Sequence, residues 1–355
     1  MIRLLVTGAG GSAAANFCDA LRRSAREYEL VGVDTDPVML HLAPMAKRAM
    51  VPRFDRADYI EVLSSICSEY RVDLVHPQPD VEVRVIAAHR EDLPAQTFLP
   101  SDEALRIARD KYEFAVTMQR QGIAVPDTAA LDDPNTIEGT VANMLTRHPK
   151  VWVRAKVGAG SRAALPVTST AQAMAWIRWW EEEKGLRTSD FMVSEFLPGA
   201  EFAYQSLWQD GELIAGQTRE RVEYLYGHLT PSGQTSTPSV ARTVARPDVD
   251  ALAQDAVRSL DALASGVFCI DIKEDRSGVP KVTEINAGRF FTTSNFFAAA
   301  GLNMPDMYVR VAMGESVERL GSSPLEPDIY WIRMVDMGYV LVHGDEIDAW
   351  PKSDR

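Results

Sequence analysis

An α/β doubly wound parallel sheet followed by an α+β domain is the fold class this sequence predicts. Short apolar strands alternate with helical stretches over the first 100 residues. A glycine turn joins the first strand to the first helix, and after residue 150 the strands are separated by polar turns. Residues 2–7 (IRLLVT) are apolar enough for a strand buried on both faces, and the glycines after them open a helix from about Ser12 to Glu27. Leu30–Asp34 reads as a second strand, Tyr59–Glu69 as a helix, and Val72–His76 as a third strand ending at Pro77. Right-handed crossovers between such units build a parallel sheet, placed at residues 1–100.

Residues 101–125 start with Ser101 and Asp102, both helix-capping types, and run as one amphipathic helix until Gly122 stops it. From Val151 the pattern is a strand, the loop GAGSR, a helix over Ala171–Glu183 and a strand over Phe191–Phe196. Strands near Glu201–Gln209 and Glu212–Gln217 form an antiparallel meander. A helix over Asp248–Leu263 precedes strands Val267–Lys273 and Lys281–Ile285, which the turn EDRSG joins. These elements place an α+β domain at 101–315, with a lid subdomain at about 125–200. The tail, 316–355, is strand-rich at Ile329–Val335 and Tyr339–His343.

The chain has 355 residues, 46% hydrophobic and 25% charged, which is a globular balance. Its net charge of −13 repels phosphate backbones and anionic membranes, so neither nucleic acid nor a membrane is expected as a partner. Cys18, Cys67 and Cys269 are far apart and form no CxxC pair, which reads as apolar filling in a reducing cytoplasm. No stretch approaches the roughly 20 apolar residues of a membrane helix.

Two glycine loops compete for attention. Gly8–Ala13 fits G-x-G-x-x-A between a strand and a helix, with Asp34 ending the next strand. That is the context of a dinucleotide site, so an NAD(P)-dependent oxidoreductase is one reading; a structural turn or a substrate contact is the preferred one. No tyrosine has a lysine four positions later, so the short-chain dehydrogenase pair is absent. The second loop, Gly158–Arg162, follows a strand carrying Arg154 and Lys156, and small residues beside cations suit a phosphate cradle as well as a solvated hairpin. Asp271 and the Glu284–Asn286 segment lie on strands able to pair, and Glu284 and Asn286 share a strand face. Two carboxylates and an amide suit Mg2+ held with phosphates, although a half-exposed sheet edge shows the same alternation.

Taken in order, VWVRAKVGAGSR, SEFLPGAEF and CIDIKEDRSGVPKVTEINAGRF resemble the ATP-grasp superfamily. The resemblance is to carboxylate–amine ligases akin to the carbamoyl-phosphate synthetase large subunit, and residues 1–100 are similar to the family's pre-ATP-grasp domain. It implies ATP and Mg2+ (or Mn2+) as cofactors, small-molecule carboxylate and amine substrates, and an acyl phosphate intermediate, and it leaves a homodimer open. Lys111 resembles the first nucleotide-binding cation, Arg154 and Lys156 the basic residues before the flap, and Gly158, Gly160 and Ser161 the flap itself. Glu195, Phe196 and Leu197 would border adenine and Glu201 the ribose; Asp271, Glu284 and Asn286 would hold the metal. Arg289, with Arg154, would stabilise the transferred phosphate. Arg219, Arg221, Ser294 and Asn295 are candidates for the substrate. A non-catalytic ATP-binding regulator and bicarbonate as the activated acid are the other readings.

Overall fold

The computed structural model describes residues 1–158, 163–235 and 237–335. The first sheet contains β1 (Ile2–Thr7), β2 (Tyr28–Asp34), β3 (Lys47–Met50), β4 (Leu74–His76) and β5 (Gln96–Thr97). All of its pairings are parallel, in the order β3-β2-β1-β4-β5. Helices α1 (Ser12–Arg22), α2 (Tyr59–Tyr70) and α3 (Asp80–Ala88) accompany it. The first helix ends five residues earlier than expected. Ser24 and Tyr28 bond the Asp306 carboxylate, drawing the chain away from the helix axis. No expectation covered α3, because its valines hide the helical period; Pro79 as cap and Asp80 and Glu82 in its first turn are the start signals.

The expected single helix over 101–125 is two, α4 (Asp102–Arg109) and α5 (Lys111–Arg120). Asp110 is extended, and its carboxylate accepts from the Tyr112 and Glu113 amides at 2.9 and 3.0 Å. That cap competes with a continuous helix and restarts the chain at Lys111.

The second sheet, ordered β6-β9-β7-β8, contains β6 (Thr128–Ala130), β7 (Val151–Ala155), β8 (Leu165–Val167) and β9 (Phe191–Glu195). It is covered by α6 (Ile137–Arg147) and α7 (Thr170–Lys184). Alternation along β7 sends Val151, Val153 and Ala155 into this subdomain's own core, leaving Trp152 and Arg154 on the opposite face.

The third sheet holds β10 (Glu201–Gln209), β11 (Glu212–Tyr224), β12 (Pro238–Thr243), β13 (Gly266–Glu274), β14 (Pro280–Ala287), β15 (Gly321–Ser322) and β16 (Tyr330–Ile332). Its main order is β14-β13-β10-β11-β12-β16. Helices α8 (Pro247–Leu260), α9 (Asn295–Ala299) and α10 (Met304–Ala312) complete the chain. Strand β11 runs seven residues past its expected end, because β10 and β12 pair its polar second half on both sides. Arg219 and Arg221 therefore lie within a strand rather than after one. The tail segment near Ile332 closes the sheet edge against β12, and the expected strand Tyr339–His343 lies outside the described residues.

Candidate active site

Strands β13 and β14 pair antiparallel with Asp271 opposite Glu284 and Asn286 opposite Cys269. A bulge between Asp271 and Ile272 skips Thr283. Without that extra residue Val282 and Glu284 would share a face; with it, Val282 and Ile285 enter the core while Glu284 and Asn286 face outward. The Asn286 amide nitrogen donates to Asp271 Oδ2 at 3.4 Å. Two carboxylates and the Asn286 amide thus share one spot.

Cations from four other segments converge on them. Arg221 of β11 reaches Asp271 at 2.5 Å and Glu201 at 3.1 Å. Lys111, placed by the Asp110 cap, lies 3.4 Å from Glu284 and donates to the Gly158 carbonyl at 2.6 Å. Arg154 crosses from the second sheet to Glu284 at 3.7 Å and donates to the Thr283 carbonyl at 3.1 Å. Arg289 donates to Asn286 Oδ1 at 2.8 Å and pairs with Asp80. These side chains surround a cavity of about 370 Å³ between the second and third sheets, which Trp152, Gln78, Phe291 and Thr292 also line.

Burial pushes the Asp271 carboxyl up, and the Glu284 and Glu201 charges add to it against the opposing pull of Arg221. Burial works against the Glu284 carboxylate too, but Lys111 and Arg154 outweigh it and hold that group low. The pair therefore carries one readily held charge on Glu284, and a proton is more easily kept on Asp271. Among the described residues no group of three or more His, Cys, Asp or Glu side chains forms a metal cluster, so Asn286 is needed as the third donor. This hard-oxygen set fits Mg2+, which commonly takes one or two carboxylates and completes its shell with phosphates and water.

A smaller pocket of about 80 Å³ adjoins the cavity, lined by Pro126, Glu195, Phe196, Leu197, Lys273 and Glu201 among others. Lys281 holds Glu195 at 2.6 Å. Glu201 receives Lys273 at 3.1 Å and the Gln234 amide at 2.8 Å, and bonds the Tyr224 hydroxyl.

The structure brings together Lys111, Arg154, Gly158, Glu201, Arg221, Asp271, Glu284, Asn286 and Arg289 around the cavity, and places Glu195, Phe196 and Leu197 in the adjoining pocket. It does not bring in Lys156, whose ammonium pairs with Asp132 and lies over the Tyr112 ring, because the chain leaves the strand at Ala155. Arg219 is also turned away. It is buried between the Phe291 and Phe297 rings, bonded to Thr293, and burial with Arg221 beside it lowers its pKa to about 9. Ser294 is buried at the foot of α9, and Asn295 donates to Asp19 at 3.1 Å; neither lines the cavity. Gly160 and Ser161 lie outside the described residues. Sequence reasoning missed Asp80, Trp152, Gln78, Gln234, Lys273 and Thr292. Trp152 was findable two residues before Arg154 on the same strand face, whereas the others arrive only through tertiary packing.

The first glycine loop is filled by its own chain. A side chain on Gly8 would meet Pro79 at 2.7 Å, and one on Gly10 would collide with the Met39 carbonyl. Asp34 accepts from the Gly10 amide at 2.9 Å rather than standing open for a ribose. The loop serves as a tight turn packed against Pro79 and Met39.

A family model for the PylC-like N-terminal domain matches residues 4–98. The biotin carboxylase domain of Hydrogenobacter thermophilus 2-oxoglutarate carboxylase, solved with MgADP and bicarbonate, superposes with a TM-score of 0.71 at 15% identity over 93% of this chain and 73% of that one. N5-carboxyaminoimidazole synthetase from Staphylococcus aureus gives 0.69 at 14% identity over 92% and 80%. The chain has the ATP-grasp fold. An L-amino acid ligase from Bacillus licheniformis shares this ATP-grasp architecture, with a TM-score of 0.65 at 14% identity over 90% and 75% of the two chains. No curated protein matches the sequence. No described helix is long and apolar enough to cross a membrane.

Proposed function

We propose that this ATP-grasp chain is a magnesium-dependent ligase that activates a substrate carboxylate as an acyl phosphate and couples it to an amine, releasing ADP and phosphate. The observation that carries the reading is the meeting of Asp271, Glu284 and Asn286 with Lys111, Arg154, Arg221 and Arg289 around one cavity. Asp271, Glu284 and Asn286 each meet a guanidinium or ammonium, so the cations are already positioned where a triphosphate would take them over. The similar structures support it further, as they include a carboxylase domain and carboxyaminoimidazole synthetases with bound ADP or ATP, and an amino acid ligase.

In this reading the adenine lies in the pocket beside Phe196 and Leu197, and Glu201 and Lys273 face the ribose. Asp271, Glu284 and Asn286 would hold Mg2+, which offsets phosphate charge when bound. Lys111 and Arg154 neutralise the phosphates from the flap side, and Arg289 does so from the β14 end. A carboxylate oxygen attacks the γ-phosphorus as its bond to the β-bridging oxygen breaks, giving ADP. The amine lone pair then attacks the acyl carbon, phosphate leaves with its electron pair, and the amine proton passes to that phosphate. No side-chain nucleophile is required, and positioning with charge neutralisation accounts for the chemistry.

The test is ADP release from MgATP across acids and amines, singly and in pairs. ADP formation that needs both partners supports ligation. ADP formation with bicarbonate alone would redirect the assignment to carboxyphosphate chemistry, and nucleotide binding without ADP under any pairing would leave a regulator.

A further inference from the structure

Behind the metal-type strand lies a second chamber that the proposed chemistry does not use. It has a volume of about 510 Å³ and runs along the free edge of β14, between α3 and α4. Its mouth is shared with the triphosphate cavity, since Asp80, Lys111, Gly158, Glu284 and Asn286 line both. The walls are largely apolar, formed by Val81, Val83, Leu105, Ala108, Ile285 and Ala287. Val81 on this wall is 46% exposed.

Two guanidiniums, Arg84 of α3 and Arg109 at the end of α4, also line this chamber. Neither forms an ion pair or hydrogen bond among the described residues, although most arginines of this acidic chain hold a carboxylate. Burial and the nearby Arg109 charge both lower the Arg84 pKa, so the two cations repel in the empty chamber. An anion between them would relieve that repulsion and gain charge-assisted hydrogen bonds. Asp80 and Arg84 stand one helical turn apart, about 6 Å along α3, so one small molecule spans from mouth to cations.

We infer that this chamber binds a small molecule with an apolar body and an anionic group, the anion held by Arg84 and Arg109. On the ligase reading the occupant is the acceptor, an apolar amino acid or conjugate whose amine reaches the shared mouth beside Asp80 and Asn286. The walls suit an apolar side chain, the paired arginines suit a carboxylate, and the oxygens of Asp80 and Asn286 at the mouth can accept from an amine.

The probe is 8-anilinonaphthalene-1-sulfonate, which has an apolar body and one anionic group, with N-phenyl-1-naphthylamine as the same body lacking the sulfonate. Fluorescence titration of the full chain should show saturable sulfonate binding. In Arg84→Gln/Arg109→Gln that affinity should fall about tenfold or more, the equivalent of one charge-assisted hydrogen bond, while the neutral analogue changes less than about twofold. Ala108→Trp, which fills the chamber, should weaken both probes. MgADP affinity, read by calorimetry, should stay within about twofold in the double arginine variant, which also verifies its fold. Unchanged sulfonate affinity in that variant, or an equal loss for both probes, overturns the inference. Where an acid–amine pair releases ADP, the same variant should raise the amine KM and leave the ATP KM alone; a rise in neither, or in both, overturns the acceptor assignment. Absence of ADP release with every pair would sink the ligase reading, while the probe titration would still decide the chamber.

Discussion

Glu82 offers a quantitative test of how the first domain is held together. It sits in the first turn of α3, 4% exposed, beneath the glycine loop and beside Thr7 and Tyr59. Burial, reinforced by the Asp34 charge, raises its pKa from 4.5 to about 7, against the opposing Thr7 hydroxyl. A carboxyl whose folded pKa lies above its unfolded value binds protons more tightly when folded. The folded state is therefore favoured at low pH and loses stability as pH rises from the unfolded value toward the folded one. At about 1.4 kcal/mol per tenfold in proton affinity the full penalty is about 3 kcal/mol, and most of it, about 2.5 kcal/mol, develops between pH 5 and 8. Glu82→Gln removes the titration and keeps the shape. Urea unfolding of both proteins at pH 5 and pH 8 should show the wild type losing about 2–3 kcal/mol more than the variant across that interval. Equal losses, within about 1 kcal/mol, would refute the claim that Glu82 is a neutral acid held in the folded core.

Three further outcomes follow from the site and its supports. Glu284→Gln should cut amine-dependent ADP release by at least about 100-fold and lower the urea midpoint, because an amide keeps the volume but lacks the charge that Lys111 and Arg154 face. Arg154→Met should weaken MgATP binding about 10- to 100-fold by calorimetry, whereas Lys156→Met should cost less than about threefold, since the Lys156 ammonium is already occupied by Asp132. Gly10→Ala should lower stability by about 1–3 kcal/mol through collision with the Met39 carbonyl. Gly139→Ala in α6, where a methyl group meets nothing within 4 Å, should instead stabilise by about 0.5–1 kcal/mol.

Local patterns made much of this legible in advance. The apolar runs at Ile2–Thr7 and Leu30–Asp34 read as buried parallel strands, and the period of two on β14 put Glu284 and Asn286 on one face. Polarity in a fixed order, with Arg154 before a glycine loop and Asp271 and Glu284 on adjoining strands, was enough to suggest phosphate chemistry. Each of those properties belongs to residues near one another in the chain, which is why sequence alone carried them.

Competition between distant segments decided the rest. Lys156 and Arg154 look equivalent in sequence, yet Asp132 takes the first and Glu284 the second. Arg219 and Arg221 alternate on one strand, but Phe291 and Phe297 enclose the former while Asp271 and Glu201 capture the latter. The glycine loop carries a dinucleotide pattern, and only the approach of Met39 and Pro79 shows that packing against the chain itself requires Gly8 and Gly10. A short-range pattern fixes which way a side chain leaves the backbone. Which partner meets it there depends on contacts across 20 to more than 200 residues, and those were settled when the three sheets packed together.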